Sequence, residues 1–238
     1  MAGMEAVVFD WGGTLSVFAD LDMEDMWRLA AAHLAPDRTE ELCARLVAVE
    51  AASWDRIAVD QRSTTLSSLL AAASAELGLD VAEAVLEEAA LHHLDSWTPH
   101  VRHEPDALAT LAALKHRGLR IGLLSNTHWP RSFHEHFLER DGLAPFIDAR
   151  CYTSEMIHTK PHPEAFRTVL EALAVWDPAN VVFVGDRPYD DISGAKGLGM
   201  RAVLRRNPLI EDAHEVEPDA VIDRLSELPP LLDAWSRS

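Results

Sequence analysis

Four groups of polar residues stand where short apolar runs end: Asp10 with Thr14, Ser125 with Asn126, Lys160 within His158-Thr159-Lys160-Pro161, and Asp186 with Asp190 and Asp191. Asp10 closes the β-branched run Val7-Val8-Phe9 and is followed by Trp11-Gly12-Gly13-Thr14. A carboxylate on a rigid strand end suits nucleophilic attack on an electrophilic phosphorus or carbon. Thr14, Ser125, Asn126 and the amides of the Gly13 turn can donate hydrogen bonds to the oxygens of a transferring group, and Lys160 can offset its charge. Asp186, with Asp190 or Asp191, offers the hard oxygen donors that suit Mg2+. Each group alone has a blander reading as turn, cap or surface chemistry. Their order along the chain, each at a strand terminus, is what argues for one site.

The elements that must hold these residues follow from periodicity and punctuation. Strands are expected over 7–9, Arg120 to Ser125, Ile147 to Tyr152, 181–184, Arg201 to Leu204 and Ala220 to Ile222. Helices are expected at Ala107 to His116, Trp129 to Arg140, Pro163 to Leu173 and Ile192 to Leu198. Between the first two strands lies an Ala/Leu/Glu-rich block with four expected helices. They run from Met23 to Leu34, Glu40 to Ile57 (with Thr39 as its cap), Leu66 to Leu77 and Val81 to Leu94; Asp22 suits the N-cap of the first. Repeated β-α-β with apolar strands implies an α/β fold, a parallel sheet covered on both faces. The helical block reads as an inserted antiparallel bundle. The expected division is 1–17 with 98–238 as the core and 18–97 as the insertion.

Composition narrows the partners. The chain of 238 residues carries 21 Lys and Arg against 39 Asp and Glu, a net charge of −18. That balance opposes nucleic acid and anionic membranes, while a bound cation would still admit a small anionic substrate. No apolar run approaches the ~18 residues of a membrane span. The first residues lack the basic region of a signal peptide, so a cytoplasmic protein is expected. Cys43 and Cys151 lie far apart and read as unpaired thiols. No feature decides the oligomeric state.

Val7 to Leu15, Leu123 to Thr127, Lys160 to Phe166 and Phe183 to Met200 resemble, in order, the four motifs of the haloacid dehalogenase-like (HAD) hydrolases. The resemblance implies a Rossmann-like core with a C1-type helical cap that closes over the site and chooses the substrate. It implies Asp10 as nucleophile, Thr14 and Ser125 as phosphate contacts, and Lys160 as charge stabiliser. It implies Mg2+ held by Asp10, the Gly12 carbonyl, Asp186 and Asp191, the last favoured over Asp190 by spacing. Trp11 either stacks on a substrate or plugs the gap between core and cap.

One position departs from the family pattern. Gly12 stands where a second aspartate is expected, and family phosphatases use that acid to protonate the leaving group and then to activate water. The expectation is a Mg-dependent phosphatase or phosphotransfer enzyme acting on a small phosphorylated metabolite, without that acid/base. His128 and His158 are candidates to replace it. The alternatives are a metal-independent carbon hydrolase of the haloacid dehalogenase kind and a non-catalytic binding or regulatory protein.

Overall fold

The computed structural model describes residues 3–17, 20–210 and 216–237. Its centre is a six-stranded parallel sheet built from β1 (Ala6–Phe9), β2 (Arg120–Ser125), β3 (Ala149–Tyr152), β4 (Val181–Gly185), β5 (Arg201–Arg205) and β6 (Ala220–Ile222). The spatial order is β3-β2-β1-β4-β5-β6. From β1 the chain builds outward through β2 and β3, then returns to lay β4 against the other side of β1. The strand order therefore reverses between β1 and β4, and the crevice at that switch point is where open parallel sheets place their ligands. Asp10 follows β1 and Asp186 follows β4, so the two acids stand side by side at the crevice.

Alternation along the strands sends side chains to two separate apolar layers. Val7 and Phe9 join Leu111 of α5 (Ala107–His116), Phe137 of α6 (Arg131–Arg140) and Leu232 of α9 (Leu228–Arg237). Ala6 and Val8 join Phe166 and Val169 of α7 (Pro163–Ala172) and Ala195 of α8 (Gly194–Gly197). Both faces are thus covered, as the unbroken apolar strands require.

The inserted helices are α1 (Met23–Leu34), α2 (Thr39–Asp60), α3 (Leu66–Glu76) and α4 (Glu83–Trp97). α1 packs on α2 and α4, and α3 on α2 and α4. Trp27 is fully buried at their centre, stacked on His93 with ring centroids 3.7 Å apart and donating from Nε1 to Glu50 Oε2 at 2.7 Å. The two chain segments that join this unit to the sheet are bonded to each other: Val17 N–H donates to Arg102 O, Glu104 N–H to Leu15 O, and Ser16 pairs antiparallel with His103.

Most expected elements have their expected limits, and the differences have local causes. Asp22 caps α1 by accepting from Glu24 N–H. Thr39 is not a cap: it is already helical, and its hydroxyl donates back to Ala35 O and Pro36 O. The helix expected from Trp129 begins at Arg131, because Pro130 sets an extended backbone before it. The helix expected from Ile192 is preceded by a wide π-type turn, Pro188–Ser193, which swings Asp191 inward. α9 was not expected, its two prolines occupying the first turn, where a missing N–H costs nothing. Cys43 and Cys151 are buried free thiols. Among the described residues no helix is long and apolar enough to cross a membrane.

Candidate active site

Asp10, Asp186 and Asp191 converge at the switch point, one carboxylate oxygen of each lying within 4.8 Å of the others. Lys160 reaches them from the loop before α7. Its Nζ donates to Asp10 Oδ1 at 2.6 Å and to Asp191 Oδ1 at 2.7 Å, with all three groups buried. Burial opposes the charge on Lys160, yet Asp10 and Asp191 together hold its ammonium above the usual lysine range. Burial raises the Asp10 carboxyl from its ordinary value, against the pull of Lys160.

Asp191 is held at both ends. Its Oδ1 accepts from Lys160 Nζ and its Oδ2 accepts from Arg187 N–H at 2.9 Å. The approach is close enough that a Cβ on Gly185 would fall 2.3 Å from the Asp191 carboxyl. Asp186 is held at one end only: Oδ2 accepts from Asn207 Nδ2 at 2.7 Å, while the buried Oδ1 has no partner. Burial, then the neighbouring Asp10 and Asp191, pushes the Asp186 carboxyl up to about 7. Asp190 lies outside the carboxylate trio, and burial next to Asp191 raises it to about 6.

Three buried carboxylates against one ammonium leave the ionised site two charges negative. A small divalent cation would cancel that imbalance. The orphaned Asp186 Oδ1 and the remaining Asp10 oxygen fit the hard-oxygen set such a cation takes, so the residues present suit the implied Mg2+. Asp191, with each oxygen already accepting a hydrogen bond, is better placed to steady Lys160.

Several expected contacts take other roles. The Trp11 indole is not offered to a substrate: it is buried, packs edge-on to His134 at 4.6 Å between ring centroids, and donates to His103 Nε2 at 3.2 Å. Only its backbone N–H meets the Asp10 carboxylate. The Gly13 amide is likewise spent, donating to Ser16 O at 2.9 Å. Gly13 is needed for space: it has φ +82°, and a Cβ there would lie 2.1 Å from Asp186 Oδ2. Asn126 does not face a ligand either, since both ends of its amide bond the backbone of Lys160. Thr14 and Ser125 are buried at the strand ends, and Thr14 Oγ1 has no partner.

The candidate replacement acids are both engaged with the inserted unit. His128 stacks on Trp54 of α2 at 4.0 Å, and burial lowers it to about 4. His158 stacks on His162 at 3.6 Å and contacts Gln61 O through Nδ1. Sequence reasoning missed Asn207, which orients Asp186 and is itself fixed by Leu209 N–H donating to Oδ1. Its signal was available, a polar residue just past a strand end. It also missed Arg205, which donates to Gly13 O at 3.0 Å and pairs with Glu104.

With this geometry in place, comparison with known proteins is informative. The sequence pattern of the haloacid dehalogenase-like hydrolases matches residues 4–199. The chain is 34% identical over 124 residues to a phosphoserine phosphatase of Thermus thermophilus, covering 52% of this chain and 49% of that one. It is 29% identical over 133 residues to the pyrophosphatase PpaX of Bacillus cereus, covering 54% and 59%. The chain thus spans about half the length of these curated relatives. Among solved structures, a 2-haloacid dehalogenase from Pseudomonas syringae pv. Tomato DC3000 superposes with a TM-score of 0.68 at 27% identity, covering 98% of this chain and 99% of that one.

Proposed function

The chain belongs to the haloacid dehalogenase-like hydrolases, and from that premise we propose that it is a Mg2+-dependent phosphatase or phosphotransferase acting on a small phosphorylated metabolite. The observation that carries this reading is the buried trio of Asp10, Asp186 and Asp191 around Lys160, with Asp186 Oδ1 left unpartnered. A carbon-attacking hydrolase has no need of the excess carboxylates; a site for phosphate and a divalent cation does. Phosphatase names among the relatives agree with it.

In this reading Asp10 attacks phosphorus and becomes the aspartyl intermediate, which water later releases. Lys160 balances charge on the nucleophile and the transferring oxygens, and Asp191 and Asn126 keep it there. Thr14 and Ser125 donate to the phosphoryl oxygens. Asp10, the Gly12 carbonyl and Asp186 would hold the cation, which would supply electrostatic stabilisation of the transferring group. Residues 18–97 act as the cap and 1–17 with 98–238 as the core, in a cytoplasmic setting.

The test is turnover of acetyl phosphate and p-nitrophenyl phosphate with Mg2+, with chelator, and by Asp10→Asn. Metal-dependent turnover absent in Asp10→Asn is expected. In parallel, Mg2+ at 100 times its dissociation constant should stabilise the fold by about 2.7 kcal/mol, an effect that Asp186→Asn removes. A second reading, metal-independent carbon hydrolysis, is favoured by Gly12 and by the likeness to the 2-haloacid dehalogenase. It predicts halide release from 2-chloropropionate that persists with chelator, and no phosphate release.

A further inference from the structure

Phosphoryl transfer from an ordinary alcohol needs a proton for the departing oxygen, and among the described residues the surroundings of Asp10 offer none. Position 12 has no side chain, and a Cβ placed there meets no atom within 4 Å. Lys160 Nζ is shared between Asp10 and Asp191, and giving up its proton would leave the buried Asp191 without the ammonium it is paired with. Asp191 accepts from Lys160 and Arg187; Asp186 accepts from Asn207 through Oδ2 and, in the phosphoryl-transfer reading, gives Oδ1 to the cation rather than carrying a proton; Asp190 lies outside the carboxylate trio.

The buried histidines of the neighbouring loops and helices are committed as well. His103 accepts from Trp11 and pairs with Asp141 through Nδ1. His134 is bonded to Thr127 Oγ1. His128 is bonded to the Thr64 backbone, and its buried Nε2 carries no partner. With its N–H given to a carbonyl, the free ring nitrogen of His128 is an acceptor, so it has no proton to hand over.

We propose that this site selects phosphoryl donors whose leaving group departs as a weakly basic anion, namely acyl phosphates, enol phosphates and phosphoanhydrides, over alkyl phosphomonoesters. The inference deepens the phosphoryl-transfer reading and rests on it. An Asp10 oxygen forms a bond to phosphorus as the phosphorus–oxygen bond to the leaving group breaks. The electron pair goes with the leaving oxygen, which departs as carboxylate, enolate or phosphate with no proton taken up. Water then attacks the aspartyl phosphate; the bond to Asp10 breaks, Asp10 regains its charge, and both water protons end on the released phosphate, as dihydrogen phosphate. That second step has no carboxylate at position 12 to take a proton from the water as it attacks, so the phosphorylated enzyme accumulates.

The experiment measures single-turnover and steady-state release of phenol from 2,4-dinitrophenyl, p-nitrophenyl and phenyl phosphate by wild type, Gly12→Asp and Asp10→Asn. In wild type the rate should fall steeply from dinitrophenyl to phenyl, with a burst of one phenolate per site on the dinitrophenyl ester. Gly12→Asp, whose Cβ enters open space, should raise single-turnover phenol release from phenyl phosphate roughly 100- to 10,000-fold and from the dinitrophenyl ester by less than about tenfold, while the dinitrophenyl burst disappears as the second step regains its base. A flat wild-type single-turnover series, or an equal single-turnover gain on all three esters, overturns the leaving-group proposal while leaving phosphoryl transfer intact. The wild-type series decides the matter even if the variant misfolds. Release that is equal in wild type and Asp10→Asn overturns the parent reading and this one together.

Discussion

Both ends of the Asn126 side-chain amide are bonded to the backbone of Lys160: Nδ2 donates to Lys160 O at 3.0 Å, and Oδ1 accepts from Lys160 N–H at 2.9 Å. Lys160 sits in a loop, within a turn closed by His162 N–H donating to Thr159 O, and the Asn126 clamp ties that turn to the end of β2. The strand end that carries Ser125 thus also fixes the lysine.

Asn126→Ala should therefore leave two backbone groups of Lys160 without their partner. A loss of about 1–3 kcal/mol in unfolding free energy is expected, read by urea denaturation. Turnover of acetyl phosphate should fall mainly in kcat. Asn126→Asp keeps the acceptor for Lys160 N–H but loses the donor, and should lie between wild type and Asn126→Ala in both measurements.

Adjacent glycines should respond in opposite ways. Gly12→Ala enters open space at an ordinary backbone angle and should leave the melting temperature nearly unchanged. Gly13→Ala must hold φ +82° and would place a methyl 2.1 Å from Asp186 Oδ2. It should cost about 1–3 kcal/mol and remove the stabilisation by Mg2+, because Asp186 has to move. Equal melting temperatures for the two variants would contradict this account of the turn.

Three buried histidines set an acid limit. Burial holds His93 and His134 down to about 3 and His128 to about 4, against 6.5 for a free histidine. Between those values and 6.5 the unfolded chain binds more protons than the folded one, so stability rises with pH across that window and is lost as pH falls below 6.5. Each group contributes at most about 1.4 kcal/mol per pH unit. The histidines act to lower the urea midpoint between pH 7 and pH 5, while Asp186 and Asp190, raised to about 7 and about 6, act the other way. His93→Gln, compared with wild type at both pH values, should show a shallower drop.

What was legible in the sequence is what local chemistry controls. The six strands and most helices follow from apolar periodicity and from glycine and proline stops; α1, α5, β2 and β6 have the expected limits because their caps and turns lie within a few residues. Three of the four polar clusters were legible because each follows a buried run, and a parallel sheet puts such residues at one edge; Lys160, expected at a strand end, lies instead in the loop between β3 and α7. Residue type and position were enough to nominate Asp10, Lys160 and Asp186.

Partnership was decided only by tertiary structure, because hydrogen bonds here join residues far apart in the chain. Asn126 and Trp11 carry side chains suited to a ligand, and folding spends them on Lys160 and His103. Asn207 and Arg205 lie beyond every motif, and β5 brings them against Asp186 and Gly13. Asp190 and Asp191 are neighbours of identical type; the wide turn at Pro188–Ser193 brings Asp191 to Lys160 and leaves Asp190 outside the carboxylate trio. The sequence names the acid missing at Gly12, and only the packing around it shows that, among the described residues, no nearby side chain supplies the proton.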